Sequence, residues 1–168
     1  MIPIKITMTR TGLGFTAKEW RAVLKPGWER VGVFWHRYIL RKHFTAAGAQ
    51  EYGYQPRTAK YVARKLRKKG HSRPLVWSGA TETQALRWRE IGSTSKGARV
   101  VLRGLPAHVW MSQHATGRAS RPNMPLELMT VSERDAQACA RILDGFIQGE
   151  ANKPGRTRSI TGGHRRAG

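Results

Sequence analysis

The sequence predicts an α+β fold in which a small, mostly antiparallel sheet is packed by a long aromatic helix and a C-terminal amphipathic helix. Aromatic residues recur at helical spacing from Trp28, strand-like segments flank Gly97, and Ser132 opens an amphipathic run with Asp135 three places on. Residues 1–149 are assigned to one α+β domain and residues 150–168 to a basic flexible tail.

Taken in order, Ile2, Ile4, Ile6 and Met8 alternate with polar residues and predict a half-buried strand ended by Gly12 and Gly14. Thr16 with Glu19 has the spacing of a capping box and predicts a short helix through Leu24, which Pro26 and Gly27 interrupt. Trp28, Val31, Trp35 and Ile39 form the stripe of a helix reaching about Ala47, with Phe34 and Tyr38 flanking it. Aromatic density of this kind predicts packed neighbours on more than one side. Gly48 to Pro56 reads as a loop. Arg57 to Lys69 predicts a helix with Ala59, Val62, Ala63 and Leu66 on a narrow apolar face and Gly70 as its stop.

Arg73 to Gly79 is extended and ends in a turn, and Thr81 to Leu86 is a helical turn. Trp88–Ser93 and Ala98–Arg103 predict a hairpin closed near Gly97. Leu105 to Arg121 is irregular or partly helical, and Leu126–Met129 reads as a short strand after the Pro122 and Pro125 turn. The last helix runs from Ser132 to about Gln148 and buries Ala136, Cys139, Ala140, Leu143, Phe146 and Ile147.

Charge narrows the function. The chain carries 31 Lys and Arg against 10 Asp and Glu, a formal +21 over 168 residues. Such a surface attracts polyanions and opposes its own compaction, so a nucleic acid or an acidic protein is the expected partner. A membrane partner is not expected, because no basic segment also bears a broad apolar face and no apolar run approaches the roughly eighteen residues of a span. Cys139 stands alone, which leaves no internal disulfide and no cysteine zinc cluster.

The densest local signal is the helix carrying Arg57, Lys60, Arg64, Lys65, Arg67, Lys68 and Lys69. A charge run is ordinarily a solvated face, but here no acid sits at helix-neighbour spacing to relieve the repulsion. The helix is therefore a candidate polyanion or partner contact. Arg156, Arg158, Arg165 and Arg166 make the tail a second candidate. Trp20, Trp28 and Trp35 fall on core positions, whereas Trp77, Trp88 and Trp110 lie outside long helices and are candidate interface anchors.

Enzymatic signals are missing from the sequence. His36 and His43 are seven apart rather than four, and His108 and His114 have no nearby carboxylate, so structural roles are expected and no metal or cofactor is assigned. Gly12-Leu13-Gly14 lacks the rest of a phosphate-binding loop, and Ser78 lacks the glycine two places before a nucleophile elbow. The expectation is a protein without catalytic residues.

The order of segments resembles a phage family, the virion morphogenesis or tail completion proteins of the head–tail junction. The resemblance is carried by the aromatic helix and by Arg73-Pro74-Leu75-Val76-Trp77-Ser78-Gly79 before a short helix and hairpin. His114-Ala115-Thr116-Gly117 follows, then Arg118, Arg121, Pro122 and Pro125, and a last helix entered through Leu128 to Asp135 and continuing to Leu143. It spans roughly residues 28 to 148. The Leu that often follows the Ser-Gly turn is replaced around Ala80-Thr81, and the Arg-Pro segment is looser than the usual form. The resemblance implies a homo-oligomeric ring, hexameric or dodecameric, in the virion. It also implies neighbouring connector, portal-side or tail-tube proteins, and genomic DNA in the channel. The alternative is a free-standing basic nucleic-acid-binding protein of the ribosome or nucleoid.

Overall fold

The computed structural model describes residues 16–87, 89–112 and 122–153. The predicted strand at Ile2–Met8 and the basic tail from residue 154 onward lie outside them. Within them the fold is α+β with a small antiparallel sheet of two strands.

Helix α1 spans Ala17–Phe34 and opens with the predicted capping box: the Thr16 hydroxyl accepts from the Glu19 N–H, and the Thr16 N–H donates to Glu19 at 2.8 Å. It does not stop at Leu24. Pro26 sits inside the helix, and its missing N–H frees the carbonyl of Ala22. Both residues are on the exposed side, where a freed carbonyl is open to solvent and not buried unpaired. Gly27 continues the helix because the space is needed, a Cβ there standing 2.7 Å from the Leu143 side chain. Gly32 does the same beside the hairpin, with a Cβ position 2.9 Å from Ile91. The punctuation read as a break is a close approach on either side of one helix.

The aromatic stripe is broken up where a single helix was predicted. Trp35–Ile39 is a π-helical turn in which the Leu40 N–H reaches back to the Trp35 carbonyl, and α2 is only Leu40–Lys42. This local widening buries Trp35, His36, Ile39 and Leu40 together. Thr45 then caps α3, Ala46–Glu51, so helix occupies the start of the expected Gly48–Pro56 loop. Gly48 is required in this tight turn, since a Cβ would lie 1.9 Å from the Lys42 carbonyl oxygen.

Helix α4 is Ala59–Lys69, capped by Thr58 and ended by Gly70 at φ 70°, as its sequence predicts. Helix α5 is Ala80–Arg87, and strands β1 (Arg89–Thr94) and β2 (Gly97–Leu102) form the hairpin in the register Arg89 with Leu102 to Thr94 with Gly97. Helix α6 covers Ala107–Met111. Leu126–Met129 is helix rather than strand: α7 is Met124–Met129, with the Asn123 side chain accepting from the Leu126 N–H at 3.1 Å and Pro125 in the first turn. Capping and a proline early in the turn decide against extension. Helix α8, Glu133–Ala151, starts at the predicted Ser132 cap and buries Asp135, Cys139, Leu143 and Ile147 on one face.

Helix α1 lies between the hairpin and α8, packed by both. The core gathers Trp28, Val31, Trp35, Leu40 and Phe44 with Val109, Leu128, Cys139 and Leu143. Burial pushes the Cys139 thiol up to about 11, with Asp135 adding to it, so it behaves as a packed apolar group.

Candidate functional site

The basic helix keeps a cationic face, but not the one the spacing suggested. Lys60, Arg64, Arg67, Lys68 and Lys69 are exposed on α4, and none has a carboxylate within ion-pair distance among the described residues. The predicted apolar face is displaced. Leu66 is 47% exposed, Ala59 and Ala63 are exposed, and the buried side is formed by Tyr61, Val62 and Lys65. A lysine stem can line apolar surface as readily as an aliphatic chain, and hydrophobic spacing alone does not see it.

Arg57 and Lys65 therefore leave the set of outward contacts. Arg57 lies ahead of the Thr58 cap and donates through both terminal nitrogens to Glu127, at 2.9 and 2.6 Å. Lys65 is 2% exposed, and its amine donates to the Arg73 carbonyl. Burial, with Arg57 and Arg73 nearby, holds that amine below the ordinary lysine range.

Trp77 does not project as a free anchor. Its ring lies 5.8 Å from that of Tyr61, while Arg64 stands over its face at 5.1 Å and Lys69 at 5.9 Å. The indole thus positions cations of α4 that no acid holds. Trp110 is 43% exposed on α6 and keeps the character of a surface aromatic, and Trp88 lies outside the described residues. Arg156, Arg158, Arg165 and Arg166 also lie outside them. Trp28 and Trp35 are buried as predicted, and Trp20 is half-buried against the same core.

Behind α4 the opposite electrostatic arrangement holds. Asp135, 1% exposed, accepts from Lys42 at 2.6 Å and from the Tyr52 hydroxyl at 2.6 Å, and its backbone N–H donates to the capping Ser132 hydroxyl at 3.2 Å. Burial alone would raise its carboxyl, but the Lys42 and Tyr52 hydrogen bonds outweigh it and hold the group below the usual carboxylate range. His43 is wholly buried, stacked on Tyr52 with ring centroids 4.0 Å apart, and its Nδ1 lies 3.0 Å from the Glu127 carbonyl. The same nitrogen lies 2.5 Å from the Tyr54 hydroxyl, so a carbonyl and a hydroxyl converge on one edge of the ring. Desolvation pulls the ring down to about 4, against the opposing pull of that carbonyl and of Asp135. His36 donates from Nε2 to the Ala85 carbonyl at 2.9 Å and faces Arg89 through Nδ1. The two histidines brace different neighbours. Among the described residues no group of three metal-ligating side chains comes together, and no helix is long and apolar enough to cross a membrane.

A groove of 570 Å³ adjoins the basic helix, bounded by α3, residues 53–57, the Tyr61–Lys65 side of α4 and residues 72–75. Leu75 forms part of its wall at φ 56°, a left-handed conformation that costs a non-glycine residue about 1–2 kcal/mol. Sequence reading missed this groove because its walls come from four short segments with no shared motif. The one available signal was Lys65 itself, a lysine standing where an apolar residue would complete the helix's inner face.

No family model matches the sequence, no curated protein matches it, and no solved structure matches its fold.

Proposed function

We propose that the chain is a structural component of the phage head–tail junction, a neck or tail completion protein that assembles as a ring around the DNA channel of the virion. The observation that supports this reading most directly is the face of α4, where Lys60, Arg64, Arg67, Lys68 and Lys69 are exposed with no carboxylate in ion-pair distance among the described residues, on a chain of net charge +21. A surface of that kind is held in the compact state against its own repulsion and is relieved when it meets polyanion. In a ring, the same face repeats around the axis, so a modest field per subunit adds to a continuous basic belt. Genomic DNA or an acidic neighbouring ring, portal-side or tail-tube, is the complementary surface. The segment order from the aromatic helix to α8 supports the assignment to this class of particle.

The test is the mass distribution of the purified protein over a salt series, with and without duplex DNA. Discrete closed oligomers in the absence of DNA are expected. A monomer that coats duplex and leaves it as salt rises would replace the connector with a free nucleic-acid binder, the alternative that the basic face suits equally on charge.

A further inference from the structure

The groove beside α4 holds an unbalanced charge. Arg57 and Lys65 line it, and Arg73 stands in the chain between the lining residues Ser72 and Pro74. Glu127 neutralises Arg57, and Glu82 neutralises Arg73. Lys65 has no carboxylate within ion-pair distance among the described residues. An ammonium has three donors; the Arg73 carbonyl takes one, and the face of the Tyr61 ring stands 5.8 Å from the nitrogen, an attraction weaker than a carboxylate's. A cation so far removed from solvent and without a counter-ion is costly, and the cost is relieved by an anion brought to it. The walls around it are apolar, with Ala49, Tyr61, Val62, Pro74 and Leu75 contributing. The rim at Ala46, Gln50, Gly53, Gln55 and Pro56 is exposed, so the feature is an open trough rather than a closed cavity.

We propose that this groove docks an extended segment of a partner protein that presents an Asp or Glu side chain to Lys65 and lays apolar neighbours against Tyr61 and Leu75. Charge complementarity selects this occupant. The chain's own residues 150–168 bring one acid, Glu150, against Lys153, Arg156, Arg158, Arg165 and Arg166, and have the wrong sign. A nucleic-acid backbone would set further charged groups on apolar walls, at a desolvation cost that a single carboxylate avoids. A small free acid would leave the length of the trough uncovered. The site stands independently of the head–tail reading, because it uses none of the outward α4 cations.

The probe is the blocked peptide acetyl-Leu-Glu-Leu-amide, titrated into the full chain with its Gln twin as control. The lysine side-chain resonances are followed by NMR and the heat by calorimetry. The Glu peptide is expected to shift the Lys65 signal and to bind at least about tenfold more tightly than the Gln peptide, the worth of one charge-assisted hydrogen bond. Lys65→Met should bring the two peptides to equal affinity. Ala46→Trp, at an exposed first-turn position that leaves the core alone, should obstruct the groove and abolish both. Equal affinity of the two peptides for the unaltered chain, no binding of either at millimolar concentration, or undiminished binding to Ala46→Trp overturns the proposal. So does 3-phenylpropionate binding as tightly as the Glu peptide, which would make the occupant a free acid rather than a protein segment.

Discussion

Two regions of this molecule treat charge in opposite ways. Around α7 and α8 two buried acids are fully engaged: Asp135 accepts from Lys42 and Tyr52, and Glu127 grips Arg57 with both oxygens. On α4 the cations Lys60, Arg67 and Lys68 face solvent with no carboxylate beside them among the described residues, and Arg64 and Lys69 lie against an indole instead. The excess charge of the chain is therefore not spread evenly. Asp135 and Glu127 act as internal braces, whereas five cations of α4 stand together with no carboxylate in ion-pair distance among the described residues. The comparison teaches that removing either buried acid should damage the fold, whereas removing an α4 cation should leave the fold and damage binding.

Asp135→Ala is the largest test of the first half. It strands the Tyr52 hydroxyl and removes the nearer carboxylate of Lys42, leaving that ammonium only Glu51 at 3.9 Å, and loss of one partner from a buried pair costs about 3–5 kcal/mol. Lys42 is 38% exposed and can turn to water, which places the expected loss near about 3 kcal/mol, read as a lower urea midpoint at unchanged slope. A loss below about 1 kcal/mol would mean that the network is decorative. Because Asp135 is held below its ordinary value, its contribution is present above the unfolded carboxylate range and is lost as pH falls beneath it.

The histidines give a second effect in a different pH window. His43 binds a proton at about 4 when folded and at 6.5 when unfolded. Between these values the unfolded chain takes up a proton that the folded chain refuses, so stability is complete above 6.5 and falls as pH drops toward 4. The loss amounts to about 3 kcal/mol over the window, with His36 adding in the same direction. Denaturation midpoints between pH 7 and 4.5 measure it, and His43→Phe should remove most of the slope. A flat profile in the unaltered protein would show that the buried ring is hydrated after all.

Much of this fold was legible before the structure, and the failures share a cause. The Thr16 and Ser132 caps, the Gly70 stop and the hairpin around Gly97 all rest on local chemistry, which the sequence carries in adjacent residues. Pro26 and Gly27 misled because their meaning is tertiary: one is tolerated on an exposed side, and the other makes room for α8. The π turn at Trp35–Ile39 leaves no mark in periodicity beyond a crowded aromatic stripe. For the candidate site, the basic helix was legible as an element but its outward face was not. Arg57 and Lys65 differ from their neighbours only in what Glu127 and Arg73 offer them from elsewhere in the chain.

Trp77→Leu sharpens the contrast at a smaller scale. Arg64 and Lys69 lose the ring that positions them, at about 0.5–1 kcal/mol for each partly exposed cation–π pair. A double-mutant cycle with Arg64→Met should return a coupling of about 0.5 kcal/mol or more. Zero coupling would mean that the arginine merely passes over the indole.

The smallest stability effect carries the most functional weight. Changing Lys60, Arg67 and Lys68 together to Gln removes cations that touch no acid among the described residues and leaves the Trp77 stack in place. Folding stability should move by less than about 0.5 kcal/mol, and toward greater stability, because like charges at helix-neighbour spacing are relieved. If duplex DNA is the partner, the slope of log affinity against log salt should fall by about 0.9 for each phosphate that the variant no longer neutralises. If an acidic protein is the partner, association should slow while duplex binding stays as it was. An unfolded triple variant would break the comparison itself, since it would make α4's charge part of the scaffold. A folded variant that binds every polyanion as before would move the interaction off α4 altogether.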